Sequence, residues 1–141
     1  MNPIYWMKFG ILDGIFLNYT RIIQNFMHEL GIVTHVIKTL TDVAAENQLT
    51  RIGSVTLEVG EVSGVIHEQI LDCWDYMCEK RGPLFTGCKL NLVVLPAVTY
   101  CSACEQTYPT VQYGRTCPHC GSGETWLLTG NECTIKEIEA E

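Results

Sequence analysis

The sequence is poor in basic residues and lacks a long uninterrupted hydrophobic run. It has 9 Lys and Arg residues against 16 Asp and Glu in 141 residues, which gives a formal net charge of −7. Proteins that bind phosphate backbones usually have a basic excess or a basic patch, so this balance argues against a nucleic-acid partner. The apolar run at residues 11–17 is broken by Asp13 and is much shorter than the roughly 20 residues needed to cross a bilayer. We therefore expect no nucleic-acid partner and no membrane insertion.

The N-terminal part also lacks the features of a secretory signal. Lys8 and Arg21 are the basic residues of the segment 1–26, and no small-residue cleavage site follows its apolar stretch. In a reducing compartment, clustered cysteines bind metal more often than they form disulfides. We therefore interpret the 8 cysteines in terms of metal binding and expect a cytoplasmic protein.

Residues 1–26 lack clear helical or strand periodicity, whereas an orderly pattern begins at Met27. From there the pattern predicts two helices, the first ending near Gln48 and the second covering 65–80 with Ser63 as its cap. Four strands are predicted at 51–60, 89–98, 126–128 and 133–138. We predict an α+β fold in which two helices cover a small three-stranded sheet. Its domains would be an extension at 1–26, an α/β domain at 27–99 and 127–141, and an inserted four-cysteine ribbon at 100–126.

Two Cys-x-x-Cys pairs form the most specific motif in the sequence. Cys101 and Cys104 make the first pair and Cys117 and Cys120 the second, with 12 residues between the pairs. Four thiolates complete a tetrahedron around one ion, and zinc is its most common occupant. A rubredoxin-like iron site and two disulfides are the alternatives. Since four sulfur ligands leave no open coordination position, we predict a structural zinc ion, and with no convincing nucleophile–base pair we expect no enzyme.

The other four cysteines show no ligand spacing. They are Cys73, Cys78, Cys88 and Cys133. A free cysteine often behaves as a small buried hydrophobic residue, so we assign these four no function.

Further short segments accompany the cysteine pairs: Met27-His28-Glu29-Leu30, Val59-Gly60-Glu61-Val62-Ser63-Gly64-Val65, Gly130-Asn131-Glu132 and Ile135-Lys136-Glu137-Ile138-Glu139. In combination they resemble the HypA/HybF family of hydrogenase nickel-incorporation proteins, and the resemblance covers residues 27–141. It implies a nickel metallochaperone that loads the large subunit of a nickel-iron hydrogenase. It also implies a nickel-handling GTPase as partner, and it is compatible with a homodimer.

In that family the initiator methionine and the following histidine bind the nickel. The resemblance therefore implies that His28 supplies an imidazole and that Met27 and Glu29 supply backbone nitrogens. Ni²⁺ accepts nitrogen donors in a square plane, and these donors must lose protons to bind it. His35 on the first helix is a further candidate, although we expect a half-exposed helix residue there.

The sequence departs from the family pattern at this point, because 26 residues precede Met27. In this chain the nitrogen of Met27 belongs to a peptide bond rather than to a free amine. We expect translation to begin at Met27. The alternatives are that the extension is cleaved or that the nickel site is altered. Rival functions are a zinc-ribbon module for protein interaction or for nucleic-acid binding.

Overall fold

The computed structural model describes the backbone from Phe26 to Glu141 and the side chains from His28 onward. The predictions made for the extension therefore lie outside the described residues, except for Phe26 at its end. No helix in the described range 26–141 has the length and apolar character required to cross a membrane.

The first helix, α1, runs over Phe26–Asn47, close to its predicted bounds. Its buried side chains recur at helical spacing and form one stripe: Ile32, Val33, Val36, Ile37, Leu40 and Ala44. Gln48 ends the helix in the left-handed region with φ 56°. The amide of Leu49 then donates to the carbonyl of Ala44 at 2.9 Å, which closes the last turn.

A three-stranded sheet lies against α1, with β1 (Ile52–Gly60) in the centre. The second helix, α2 (His67–Lys80), and a short 3-10 turn (Pro83–Phe85) lead from β1 to β2 (Lys89–Leu95), which is parallel to β1. The last strand, β6 (Cys133–Ala140), is antiparallel to β1 on its other side. We call α1, β1, α2, β2 and β6 the α/β lobe. One apolar core runs through it and includes Trp74, Phe85 and Leu57.

The chain between β2 and β6 forms a second three-stranded sheet. Its strands are β3 (Val98–Cys101), β4 (Thr107–Pro109) and β5 (Thr125–Thr129), in the order β4-β3-β5 and all antiparallel. A single helical turn, α3 (Thr110–Tyr113), follows β4. We call β3, β4, α3 and β5 with their connecting turns the ribbon. The predicted fold class is therefore confirmed, whereas the exact domain limits stay a prediction.

Three local predictions were wrong in detail. The strand predicted to continue to Val98 ends at Leu95, because Pro96 has no amide hydrogen for a ladder bond. The second helix begins at His67 rather than at Val65, and Ser63 makes no capping bond to it. The short elements β4 and α3 had no counterpart in the prediction, since three or four residues are too few to show a period.

Candidate metal centre

The two cysteine pairs occupy two turns of the same local geometry. In each turn the amide of the fifth residue donates to the carbonyl of the first cysteine: Glu105 to Cys101 and Gly121 to Cys117, both at 2.8 Å. The first cysteine in turn donates its own amide to the residue five positions later, at 2.9 Å in the first turn and 3.0 Å in the second. Both fifth residues have a positive φ, 59° at Glu105 and 74° at Gly121. The sequence repeat is thus a structural repeat.

These turns bring the four sulfur atoms of Cys101, Cys104, Cys117 and Cys120 together. All four atoms lie within 4.8 Å of one another. Across the two turns, the sulfurs of Cys101 and Cys120 are 3.6 Å apart, as are those of Cys104 and Cys117. A tetrahedral zinc site with bonds of about 2.3 Å needs its sulfurs about 3.8 Å apart. The cluster is therefore close to the size that such an ion requires.

The protonation of this cluster also fits a bound cation. Burial raises the pKa of Cys117, but amide hydrogen bonds from Cys120 and His119 outweigh it and lower that pKa to about 6. Burial and the neighbouring thiols instead raise the pKa of Cys104 to about 12. Four adjacent thiols cannot all ionise without a positive charge between them, and a divalent ion supplies that charge.

Little apolar packing supports the ribbon. Its buried cluster consists of Cys101, Tyr108 and Cys117, so two of its three members belong to the sulfur cluster itself. Tyr108 adds one hydrogen bond, in which its hydroxyl donates to the carbonyl of Gly114 at 2.9 Å. A lobe with so small a core usually needs a metal or disulfides to fold.

The second candidate site lies at the start of α1, where His28 and Glu29 occupy the first turn. Both side chains are buried, with exposed fractions of 7% for His28 and 1% for Glu29. The Nδ1 atom of His28 lies 3.6 Å from the Oε1 atom of Glu29. The same oxygen accepts a hydrogen bond from the amide of Ile66, the residue that precedes α2, at 3.0 Å. The start of α1 is therefore fastened to the start of α2.

The side chain of Glu29 was missed by the sequence interpretation, which considered only the backbone nitrogen of this residue. Its partner Ile66 is 37 residues away, and no local pattern predicts such a bond. Glu61 makes a bond of the same kind, since its Oε2 atom accepts a hydrogen bond from the amide of Ala97 at 2.8 Å. Both carboxylates thus serve backbone amides distant in sequence.

The other histidines and cysteines differ in their exposure to solvent. His35 is half-buried on α1, as expected, while His67 and His119 are exposed. The four other cysteines are free and buried in the α/β lobe, in agreement with the prediction that they behave as apolar residues. Burial is the main cause that raises the pKa of Cys133 to about 12, so this thiol keeps its proton at neutral pH.

The chain is similar to proteins of known role over most of its length. A family model described as "Hydrogenase/urease nickel incorporation, metallochaperone, hypA" matches residues 27–140. The hydrogenase maturation factor HypA of Albidiferax ferrireducens is 31% identical over 115 residues, which cover 82% of this chain and all of that protein. The hydrogenase maturation factor HybF of Klebsiella pneumoniae is 30% identical with the same coverage.

Two solved structures share the fold. The solution structure of a HypA protein superposes with a TM-score of 0.65 and 23% identity, over 82% of this chain and 97% of that one. The solution structure of the nickel metallochaperone HypA from Helicobacter pylori gives a TM-score of 0.63 and 21% identity, over 79% and 96% of the two chains.

Proposed function

The chain belongs to the HypA family of nickel-incorporation metallochaperones, and we propose that it binds Ni²⁺ at the start of α1 and delivers it to the large subunit of a nickel-iron hydrogenase. The observation that carries this proposal is the position of the Met27-His28-Glu29 segment, which occupies the first turn of α1. A family of maturation factors supplies metal rather than transforming a substrate, so we expect no catalytic activity of the chain itself.

The proposed nickel ligands are the imidazole of His28 and the backbone nitrogens of Met27 and Glu29. The first turn of a helix lies outside the helix's own ladder of amide hydrogen bonds, so amide nitrogens there can reach a metal without opening the ladder. Together with the imidazole they form short chelate rings that suit the square-planar preference of Ni²⁺. Because each amide must lose its proton, we expect nickel affinity to fall as the pH falls.

The carboxylate of Glu29 favours a cation at this place. Its Oε1 atom lies 3.6 Å from the His28 ring, and among the described residues its Oε2 atom is buried without a hydrogen-bond partner. A buried negative charge beside an imidazole raises the local affinity for a positive ion. This site is largely closed to solvent, because His28 is only 7% exposed. Release of nickel would then require the first turn of α1 to open.

The four-sulfur cluster has a different proposed role. We assign it a structural zinc ion held by Cys101, Cys104, Cys117 and Cys120, which would keep the ribbon folded. A closed four-thiolate site has no free position for ligand exchange, so it does not suit a cargo that must leave. The proposed cargo and the proposed structural metal therefore occupy separate sites.

The proposed partners follow from the family. The similar proteins are called hydrogenase maturation factors, and we infer that this chain cooperates with a nickel-handling GTPase and with the hydrogenase large subunit. A homodimer is compatible with this role. We expect the protein to act in the cytoplasm.

The test is a nickel titration of a chain that begins at Met27. His28→Ala should abolish tight Ni²⁺ binding measured by calorimetry, because it removes the only proposed side-chain donor. The variant should keep one zinc per chain and the circular dichroism of the parent. His35→Ala is the matched control on the same helix and should bind nickel as the parent does. If His28→Ala binds nickel with the parent's affinity, the assignment of His28 is wrong.

The same titration should be repeated with the chain that begins at Met1. In that chain the nitrogen of Met27 is a peptide nitrogen, so we expect weaker binding than in the chain that begins at Met27. Equal affinities would mean that the free amine contributes nothing and that the donor set needs revision.

A further inference from the structure

The chain passes between the α/β lobe and the ribbon twice, and both passages meet the end of β1. The first passage is the segment 96–97, which follows β2, and the second is the segment 130–132, which precedes β6. Residues 60–62, where β1 ends, lie against both. These three segments include parts of two motifs on which the family resemblance rests: the motif around Gly60-Glu61 and the motif Gly130-Asn131-Glu132.

Hydrogen bonds tie residues 60–62 to each passage. The amide of Glu61 donates to the carbonyl of Leu95 at 2.8 Å, while the carboxylate of Glu61 accepts from the amide of Ala97 at 2.8 Å. The amide of Val62 donates to the carbonyl of Gly130 at 2.8 Å. Glu61 thus holds the end of β2 through its backbone and the first passage through its side chain, and its neighbour Val62 holds the second passage.

The backbones approach so closely here that only glycine fits. A Cβ atom on Gly60 would lie 2.1 Å from the carbonyl oxygen of Gly130, and a Cβ on Gly130 would lie 2.3 Å from the Cα of Ala97. Gly130 also has φ 107°, which other residues rarely adopt. The carboxylate of Glu132 accepts from the amide of Gly130 at 3.0 Å, which fixes this turn from its other side.

The loop that begins with these residues ends at the proposed nickel site. It runs from Gly60 to Ile66, whose amide donates to the buried carboxylate of Glu29 at 3.0 Å. One loop therefore contacts the connections of the ribbon at one end and the first turn of α1 at the other.

We propose that the loop Gly60–Ile66 is a clasp that holds the ribbon in a fixed position relative to the start of α1, with Gly60 and Glu61 as its positioning residues. Glycine at 60 permits the contact, and the carboxylate of Glu61 secures it on the side of Ala97. The clasp presents the ribbon and the start of α1 to a partner in one constant arrangement. The role of this fixed arrangement in nickel delivery rests on the proposed function. The effect of the clasp on the relative motion of the two lobes does not.

The test compares the rotational correlation times of the two lobes by ¹⁵N relaxation of the zinc-loaded full chain. In the parent, amides of the ribbon and of the α/β lobe should give the same value. In Glu61→Ala the ribbon amides should tumble faster than the lobe amides, while Glu61→Gln, which keeps an acceptor oxygen for Ala97, should restore the parent's equality. A ribbon that tumbles with the lobe in Glu61→Ala would overturn the proposal.

A pair of glycine variants on β1 tests the close approach in the same way. Gly60→Ala should separate the two correlation times more than Glu61→Ala does. Gly53→Ala is the matched control, because its Cβ would meet the nearest atom, the carbonyl oxygen of Glu139, at an ordinary 3.7 Å. If the two lobes of Gly60→Ala tumble as one body, the clasp is not what holds the ribbon. If Gly60→Ala does not fold, the two Glu61 variants decide the test.

This experiment uses no nickel, so its result is independent of the nickel titration. A failed nickel titration would leave the clasp proposal standing, and unchanged correlation times would leave the nickel proposal standing.

Discussion

The α/β lobe and the ribbon contain four cysteines each and use them in opposite ways. In the lobe, the four cysteines are buried among apolar side chains: Cys73, Cys78, Cys88 and Cys133. In the ribbon, the four cysteines form the cluster itself. Burial keeps a thiol protonated, whereas amide donors such as those to Cys117 lower the pKa of a thiol and favour the thiolate that binds a cation.

The two lobes also differ in what holds them together. The core of the α/β lobe spans two helices and three strands and includes large side chains such as Trp74 and Phe85. Trp74 is anchored further by a hydrogen bond from its Nε1 atom to the carbonyl of Cys88 at 3.0 Å. The ribbon buries one aromatic residue, Tyr108, between its sulfur ligands. From this difference we expect apolar burial to stabilise the first lobe and a bound metal to stabilise the second.

Removal of one sulfur ligand should have the largest effect, because it should unfold the ribbon and leave the α/β lobe folded. Cys117→Ser should lose zinc and unfold the ribbon, because a structural zinc site contributes about 10–16 kcal/mol of binding free energy that is also folding free energy. Elemental analysis and amide NMR spectra would report the two losses. Cys78→Ala in the lobe is the control and should retain one zinc per chain. A ribbon that stays folded without metal would show that its small core suffices.

Alkaline pH should destabilise the α/β lobe without removing zinc from the ribbon, and this effect should be smaller than that of Cys117→Ser. Burial, with a further contribution from Asp75, raises the pKa of Cys78 from 9.0 to about 11, and burial together with Cys78 raises that of Cys88 to about 12. A folded-state pKa above the unfolded value stabilises below pH 9, and this stability is lost as the pH rises. Between pH 8 and pH 10 each of the two thiols, and Cys133 likewise, should lower the free energy of unfolding of the lobe by roughly 1 kcal/mol.

The measurement for this prediction is urea unfolding followed by the helical circular dichroism of α1 and α2 at each pH. Cys88→Ala should reduce the loss by roughly 1 kcal/mol, since it removes one of the titrating groups. The zinc content should not fall over the same range, because thiolates are the form that binds metal. A lobe whose stability is constant up to pH 10 would contradict the assignment of buried, protonated thiols.

The sequence predicted those parts of the molecule that depend on neighbours along the chain. Helical spacing located α1, alternation located β1, and the Cys-x-x-Cys repeat located the sulfur cluster. The parts that could not be predicted depend on contacts between distant residues. Glu29 bonds to Ile66 across 37 residues, and Glu61 bonds to Ala97 across 36. The bond from Ile66 to Glu29 accompanies the late start of α2, which local propensity does not predict. The early end of β2 is different, because Pro96 is a local signal for it.

The smallest expected effect belongs to Cys133, the first residue of β6. It is 3% exposed and donates no ligand to the ribbon, although it lies four residues after Thr129, where β5 ends. Cys133→Ala removes one group of about the size of a methylene, so we expect a loss of about 0.8 kcal/mol in the free energy of unfolding. Zinc content should stay at one ion per chain, and the ribbon's amide spectrum should not change. Loss of zinc in this variant would show that a cysteine outside the two turns of the ribbon takes part in metal binding. Proximity in sequence to the ribbon would then decide which cysteines bind metal. The division of the eight cysteines into two sets of four would be wrong.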